Sequence, residues 1–157
     1  IGAAGYPEGH VENPDKDDDR KHLHGKITAG AEFIVTQFFL DNTHFLRWRD
    51  QLRGEGVNVP LVAGILPPSN WKATSHMSKM CGVTIPEDLA EALLKHETDP
   101  EASKEIGFVH VEKQIEGLLR EGVEGIHLYA LNSLETVKRL GPKLRDAAGT
   151  SSGLAKD

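Results

Sequence analysis

The residues with the clearest chemical potential lie where polar side chains interrupt or follow apolar, strand-like runs. The clearest of these is Gln37, because the β-branched and aromatic run over residues 32–39 carries a Thr-Gln pair just before two phenylalanines. A buried amide must find hydrogen-bond partners, and parallel α/β proteins bind ligands at the carboxyl ends of their strands. We therefore predict that Gln37 contacts a ligand with its amide group.

Three other apolar runs end in polar residues in the same way. Together with Gln37, the candidates are Tyr6, Glu8 and His10, then Asp41, then Ser69 and Asn70, then His127, Tyr129 and Asn132. The set offers phenol, carboxylate, amide and imidazole groups, but it contains no nucleophile–base pair and no metal-ligand spacing. Such a set is typical of a site that holds a large, flat, polar cofactor, and it predicts no metal centre.

Several candidates also have an ordinary structural interpretation. Tyr6 is equally explained by packing against the next helix, and Glu8 by a carboxylate in a turn. His10 is explained by a solvated loop, and His127 and Tyr129 by the face of a strand opposite its apolar residues. Gln37 is harder to explain without a ligand.

Two groups near the start of the chain need separate treatment. The acidic run over residues 15–19 lacks the glycine and the glutamate that an EF-hand loop requires, so it is interpreted as a helix start favoured by the helix dipole. Lys26 lies at the other end of the same predicted helix, beside the polar strand ends. A lysine there is suited to a pyrophosphate, and a surface lysine is the alternative.

The elements that would position these residues alternate along the chain. Strands are predicted over residues 1–6, 32–39, 59–65 and 125–130, the first of them buried. Helices are predicted over residues 15–29, 43–54, 71–80, from Pro86 onward, 101–121 and 133–140, the last ending at Gly141-Pro142.

Strand–helix alternation predicts an α/β protein with a parallel sheet. Short strands with polar ends favour a (β/α)8 TIM barrel over a small open sheet, and four units make half of one. Residues 1–145 are predicted to form this domain, and residues 146–157 a disordered tail. Because a half barrel leaves two strand edges unpaired, we expect another segment, or a second copy in a homo-oligomer, to cover them.

Composition limits the class of protein. The 157 residues carry a net charge of −6, which argues against nucleic acid as a partner. No apolar run reaches the roughly 20 residues needed to cross a bilayer, so no membrane is expected. The single Cys81 fits a reducing compartment and predicts a cytoplasmic location. The chain opens on a strand-like run at Ile1 without a methionine, and we expect it to be the middle of a longer polypeptide.

Several blocks in a fixed order carry a family resemblance. They are residues 4–10 (AGYPEGH), Leu23 and Lys26, residues 30–39 (GAEFIVTQFF), 64–67 (GILP), 83–86 (VTIP) and 122–132 (GVEGIHLYALN). Over roughly residues 1–140 the chain resembles the methylenetetrahydrofolate reductase family, and these residues match the C-terminal half of its catalytic barrel, about strands 5 to 8.

The resemblance implies a flavin-dependent (β/α)8 barrel that reduces 5,10-methylenetetrahydrofolate to 5-methyltetrahydrofolate. NADH or NADPH would be the electron donor and FAD the bound cofactor. The positions that match FAD contacts are Tyr6, His10, Asp19, His22 and Lys26, with Asp19 on the ribose or adenosine side and Lys26 at the pyrophosphate. The positions that match the folate and nicotinamide site are Gln37, Met77 and Tyr129.

The chain also departs from the family pattern. Ser133 stands where the family has arginine, and Ala73 where some relatives have a folate-binding glutamine. The match begins at the fifth strand, so the general-acid glutamate of the first strand and the flavin-side aspartate of the fourth are not among these residues. We therefore expect no catalytic residue in this chain, no turnover from it in isolation, and the N-terminal half of the barrel as its partner. The alternatives are a half-barrel assembly module, or a related flavin barrel that acts on a different one-carbon carrier.

Overall fold

Four parallel strands alternate with helices in the computed structural model, which describes residues 1–13 and 15–151. The strands are β1 (Gly2–Gly5), β2 (Phe33–Phe38), β3 (Leu61–Ile65) and β4 (Gly125–Leu128). The helices are α1 (Lys16–Thr28), α2 (Asn42–Gly54), α3 (Trp71–Cys81), α4 (Glu87–Lys95), α5 (Pro100–Arg120) and α6 (Leu134–Ser151).

The strands lie side by side in chain order, β1-β2-β3-β4, and every neighbouring pair is parallel. Their carboxyl ends therefore lie along one edge of the sheet. This arrangement confirms the predicted α/β class and the parallel sheet. Within the described residues, β1 and β4 form the two outer edges.

The main hydrophobic core lies between the sheet and the helices. Ile34 of β2 and Ala63 of β3 are fully buried there, together with Phe45 of α2 and Leu118 of α5. The apolar residues of α5 recur at helical spacing, which places Val111, Ile115 and Leu118 on one buried face, as the sequence predicts. This packing holds the helices against the strands that carry the candidate residues.

A β-bulge in β2 divides the core at the two adjacent phenylalanines. The pairing of β2 with β3 passes from Val35–Val62 to Phe38–Gly64, so β2 has one extra residue. Ile34 and Phe39 can then both enter the main core, although they are five positions apart. Phe38 instead packs in a second cluster with Leu93. A regular strand would put Ile34 and Phe39 on opposite faces.

Four helices begin directly after a residue whose side chain caps them. Asp15, Asp41, Asn70 and Asp99 each accept hydrogen bonds from the first-turn backbone of the helix that follows. In all four cases the cap is the residue directly before the first helical residue.

The first strand is not buried as predicted. Only Gly5 of β1 is buried, and Ile1 is 81% exposed. The reason is its position at the edge of the sheet, where β2 covers one side and no described residue pairs with the other.

The last helix does not end at Gly141-Pro142 as predicted. It continues through Pro142 to Ser151, because Leu140 is fully buried and Leu144, one turn later, packs on the same core. This burial offsets the roughly 3 kcal/mol that an internal proline costs. The predicted tail of residues 146–157 begins inside this helix. Residues 152–157 lie outside the described residues, so disorder there stays a prediction.

Candidate functional site

The side chain of Gln37 lies at the carboxyl end of β2, where its amide oxygen and its amide nitrogen differ in their hydrogen bonding. Its Oε1 accepts a hydrogen bond of 3.0 Å from the backbone nitrogen of Phe38. Among the described residues, its Nε2 donates no hydrogen bond, although the side chain is half-buried. Because this donor has no partner among the described residues and lies at the carboxyl end of a strand, it is a candidate for ligand binding.

Tyr129 connects the end of β4 to the end of β2. Its backbone nitrogen donates to the carbonyl of Ile65 at 2.8 Å, and its hydroxyl donates to the carbonyl of Thr36 at 2.9 Å. Its ring also meets the ring of His127 edge-on, with centroids 4.6 Å apart. The two side chains are therefore neighbours, although His127 itself is exposed.

The hydroxyl of Tyr129 is protonated in the physiological range. Burial raises its pKa above the ordinary value of 10, and the charges that Tyr6 and Cys81 would carry raise it further. Tyr6 follows β1 and Tyr129 follows β4, so both lie at the carboxyl edge of the parallel sheet. The polar ends of β1, β2 and β4 thus share one rim, as the sequence predicts.

The end of β1 carries a compact group of three predicted cofactor residues. The rings of Tyr6 and His10 meet edge-on, with centroids 4.6 Å apart. Lys26 of α1 donates to the carbonyl of Ala4 at 3.0 Å, and its ammonium nitrogen lies 5.4 Å from the centroid of the Tyr6 ring. An aromatic face beside a lysine with donors to spare suits a phosphate-bearing ligand.

The other two predicted cofactor residues lie farther along α1. Asp19 lines a cavity of about 300 Å³ together with Tyr6 and Trp48. His22 is 65% exposed at its side chain and bonds locally, to the carbonyl of Asp18 at 2.9 Å. The structure therefore brings Asp19 close to Tyr6, whereas His22 makes none of its hydrogen bonds to another predicted site residue.

Met77 lies on α3, beside the second core cluster. It packs in the second core cluster with Phe38 and Tyr129, and it lines a cavity of about 60 Å³. Ala73 lines the same cavity one turn earlier. Met77 thus shares a cluster with Tyr129, another residue of the predicted substrate site, and Ala73 leaves room beside Met77.

Ser133 has a structural task of its own. Its hydroxyl accepts from the backbone nitrogen of Thr136 at 3.1 Å, which caps the start of α6. The two residues before it, Leu131 and Asn132, have φ angles of 46° and 62°, in the left-handed region. Such angles cost about 1–3 kcal/mol each and cluster at functional sites. This turn borders a cavity of about 240 Å³ that Tyr129 also lines.

Sequence reasoning did not identify the contact made by Glu8. Its side chain is only 8% exposed, and its Oε2 accepts from the backbone nitrogen of Thr84 at 3.0 Å, with Nε2 of His44 at 3.6 Å. The carboxylate therefore ties the loop that carries Tyr6 and His10 to the connection between α3 and α4. Thr84 lies 76 residues away in the chain, so no local signal marks it as the partner.

The remaining candidates add no reactive group. In the part of the chain that the structure describes, no cluster of three or more His, Cys, Asp or Glu side chains is arranged to hold a metal ion. Burial raises the pKa of the Cys81 thiol above its usual value, which disfavours a thiolate.

No helix among the described residues is long and apolar enough to cross a membrane.

The fold and the rim together define a class: a parallel α/β protein with its candidate ligand site at the carboxyl ends of the strands. Known proteins of similar sequence narrow this class. The family described as methylenetetrahydrofolate reductase matches residues 1–144. The chain belongs to the methylenetetrahydrofolate reductase family.

Individual relatives agree with this assignment. Methylenetetrahydrofolate reductase 1 of Schizosaccharomyces pombe is 36% identical over 144 residues, which is 92% of this chain and 24% of that protein. The 5,10-methylenetetrahydrofolate reductase of Escherichia coli is 37% identical over 135 residues, which is 86% of this chain and 46% of that protein. The chain thus spans about half the length of the bacterial relative and about a quarter of the yeast one.

A solved structure supports the fold. An uncharacterized protein from Clostridium thermocellum, whose description states that it binds two copies of 5-methyl-5,6,7,8-tetrahydrofolic acid, aligns with a TM-score of 0.56. The alignment covers 94% of this chain and 53% of that protein, at 19% identity.

Proposed function

We propose that these residues form the C-terminal half of a (β/α)8 barrel that reduces 5,10-methylenetetrahydrofolate to 5-methyltetrahydrofolate. NADH or NADPH supplies the electrons, and FAD is the bound cofactor. The observation that carries the proposal is the common rim: Tyr6, Gln37 and Tyr129 lie at the carboxyl ends of β1, β2 and β4 in one parallel sheet. The amide nitrogen of Gln37 makes no hydrogen bond to any described residue there.

The end of β1 fits the cofactor by its chemistry. The Tyr6–His10 pair offers aromatic surface, and Lys26 retains ammonium donors beyond its bond to Ala4. We assign Lys26 to the pyrophosphate and Asp19 to the ribose or adenosine side, with His22 farther along the same helix. The flavin, when bound, supplies hydride transfer between the nicotinamide and the folate. The protein residues hold and orient it.

The end of β2 fits the substrate. An amide can donate and accept at once, which suits the polar edge of a pterin ring or the carboxamide of a nicotinamide. Gln37 is the hydrogen-bonding group, Met77 supplies apolar surface from the second core cluster, and Tyr129, which packs on the same cluster, borders this side of the site. This chain binds and orients substrate, and we assign proton donation to the remainder of the barrel.

Folate is the favoured carrier. The Clostridium thermocellum protein of similar fold is described as binding 5-methyltetrahydrofolic acid, so a fold of this kind accommodates the product of the proposed reaction. Ser133 does not by itself favour a different carrier, because its cap on α6 accounts for a serine at that position. An Arabidopsis thaliana relative is named as an NADH enzyme.

The full-length protein tests the proposal. We expect it to purify with bound flavin and to oxidise NADH or NADPH when 5,10-methylenetetrahydrofolate is supplied. Gln37→Ala should keep the flavin and slow reduction of the folate on the order of tenfold to a hundredfold, because one buried hydrogen bond is lost. Asn58→Ala is the matched control, since it removes an exposed carboxamide at the opposite end of the sheet.

Two results would refute the proposal. The first is a full-length protein that binds no flavin and reduces no 5,10-methylenetetrahydrofolate. The second is a Gln37→Ala variant that reduces the folate as fast as Asn58→Ala.

A further inference from the structure

Gln37 lies within the bulge of β2. The contacts that hold the backbone of the bulge in place therefore also set the direction of the Gln37 side chain. Between Val35 and Phe38, three steps along β2 are matched by two steps along β3. A bulge disrupts the regular backbone ladder and re-aims the side chains next to it. Thr36 and Gln37 are the two residues inside this interval.

Two side-chain hydroxyls take part in the hydrogen bonding at this point. The backbone nitrogen of Gly64 donates to Oγ1 of Thr36 at 2.9 Å. The carbonyl of Thr36 accepts from the hydroxyl of Tyr129 at 2.9 Å. Because Thr36 is fully buried, neither of these groups can turn to solvent for a partner.

Gly64 leaves the space that this arrangement needs. A Cβ atom built on Gly64 would lie 2.2 Å from the carbonyl oxygen of Thr36 and 2.9 Å from Cε2 of Tyr129. Both distances are too short for any side chain. The ring of Tyr129 therefore crosses β3 over a glycine, with its backbone bonded to Ile65 and its hydroxyl bonded to β2.

We propose that Tyr129, Gly64 and Thr36 form a brace across β2, β3 and β4 that sets the direction of the Gln37 amide. Tyr129 is then a positioning residue that acts through Thr36 and Gln37. This inference rests on the proposed function, since it concerns how the substrate amide is aimed.

The closing experiment uses the full-length protein and a double-mutant cycle. Tyr129→Phe removes only the hydroxyl, so flavin content should stay unchanged while reduction of 5,10-methylenetetrahydrofolate slows about tenfold. In a Gln37→Ala background, the same change should cost about twofold or less, because the amide that the brace aims is gone.

Variants of Thr36 test the other side of the brace. Thr36→Val should slow reduction of 5,10-methylenetetrahydrofolate about as much as Tyr129→Phe does. Thr36→Ser keeps the hydroxyl, so it should reduce the folate at close to the wild-type rate. Thr98→Val is the matched control at an exposed position on the α4–α5 connection. Hydrogen exchange of residues 33–40, followed by mass spectrometry, should accelerate in Tyr129→Phe and in Thr36→Val but not in Thr98→Val.

The outcomes separate the two proposals. If the wild-type protein reduces the folate and Tyr129→Phe costs the same factor with and without Gln37, Tyr129 contacts the substrate independently and the positioning role is overturned. Unchanged exchange over residues 33–40 would overturn the brace itself. Absence of folate reduction in the wild type would overturn the proposed function, and with it the task assigned to Gln37, whatever the exchange data show.

Discussion

At the level of single residues, two side chains of α5 hold the backbone that follows Gln37. They donate hydrogen bonds to the carbonyl groups of Phe39 and Leu40. His110 of α5 donates from Nε2 to the carbonyl of Leu40 at 2.8 Å, and Gln114 donates to the carbonyl of Phe39 at 3.1 Å. Asn42 in turn donates to the carbonyl of Gln114 at 2.9 Å. Helix α5 therefore holds the β2–α2 connection, and with it the end of the strand that carries Gln37.

The pKa of His110 makes this connection sensitive to pH. Burial lowers the pKa of His110 below its ordinary value of 6.5 and outweighs the hydrogen bond to the carbonyl of Leu40 and the charge of Asp88, which raise the pKa. Lys113 lowers the pKa further, and Asp41 has the smallest, opposing effect. The unfolded chain then binds a proton at a higher pH than the folded one. The free energy of unfolding should be highest above about pH 6.5 and should fall as the pH drops below that value.

Urea unfolding between about pH 7.5 and 5 measures this effect. His110→Gln should remove part of the fall, because glutamine can donate to Leu40 without titrating. His127→Gln, a change at an exposed histidine, is the control and should leave the pH dependence as it is in the wild type. Equal pH dependence in the wild type and in His110→Gln would contradict the role given to His110.

At the level of elements, the continuity of α6 depends on packing that outweighs its own sequence. Gly141 and Pro142 are both unfavourable inside a helix, yet the helix passes through them because Leu140 and Leu144 bury against the main core. Arg139 adds bonds from α6 to Glu105 and Glu112 of α5. Its guanidinium carbon also lies 4.6 Å from the centroid of the Phe108 ring.

A glycine substitution tests whether α6 is continuous in solution. Gly141→Ala should raise the free energy of unfolding by about 0.5–1 kcal/mol, because alanine favours the helix and open space surrounds the position. Thermal unfolding measures the change.

Gly122→Ala is the matched control. It also faces open space, but its φ angle is +65°, so alanine there should destabilise the protein. If Gly141→Ala proved neutral or destabilising, α6 would end at Gly141, as the sequence predicts.

At the level of the whole molecule, the sheet has two open edges within the described residues, at β1 and at β4. Unpaired strand edges offer backbone groups to any available strand. A closed (β/α)8 barrel has no such edges, and the 46% coverage of the Escherichia coli relative leaves enough of that protein to close one. The half-barrel interpretation, the homo-oligomer and the cytoplasmic location all stay predictions.

The open edges predict self-association of the 157-residue chain when it is expressed alone. Size-exclusion chromatography with light scattering should give a mass above that of one chain, 17.2 kDa, and the fraction associated should rise with concentration. The full-length protein is the control, since strands outside these residues would cover the edges. A folded, concentration-independent monomer of the short chain would contradict the prediction.

The sequence by itself determines the order of the elements and the family. Periodicity, turn residues and caps are local, and each acts over a few neighbouring residues, which is why Asp15 and Asp99 cap the helices that follow them. The blocks around Tyr6, Gln37 and Tyr129 are local as well. Their residue types are sufficient to predict a rim of polar strand ends.

Only the tertiary structure decides how those residues are held. The contacts of Glu8 with Thr84, of Tyr129 with Thr36 and of His110 with Leu40 join residues 70 or more positions apart. Partners at that distance are chosen by the packing of the sheet and helices, and no local pattern encodes them. The bulge at Thr36 and the passage of α6 through Pro142 have the same origin, because the burial of Phe39 and Leu144 outweighs the local preference.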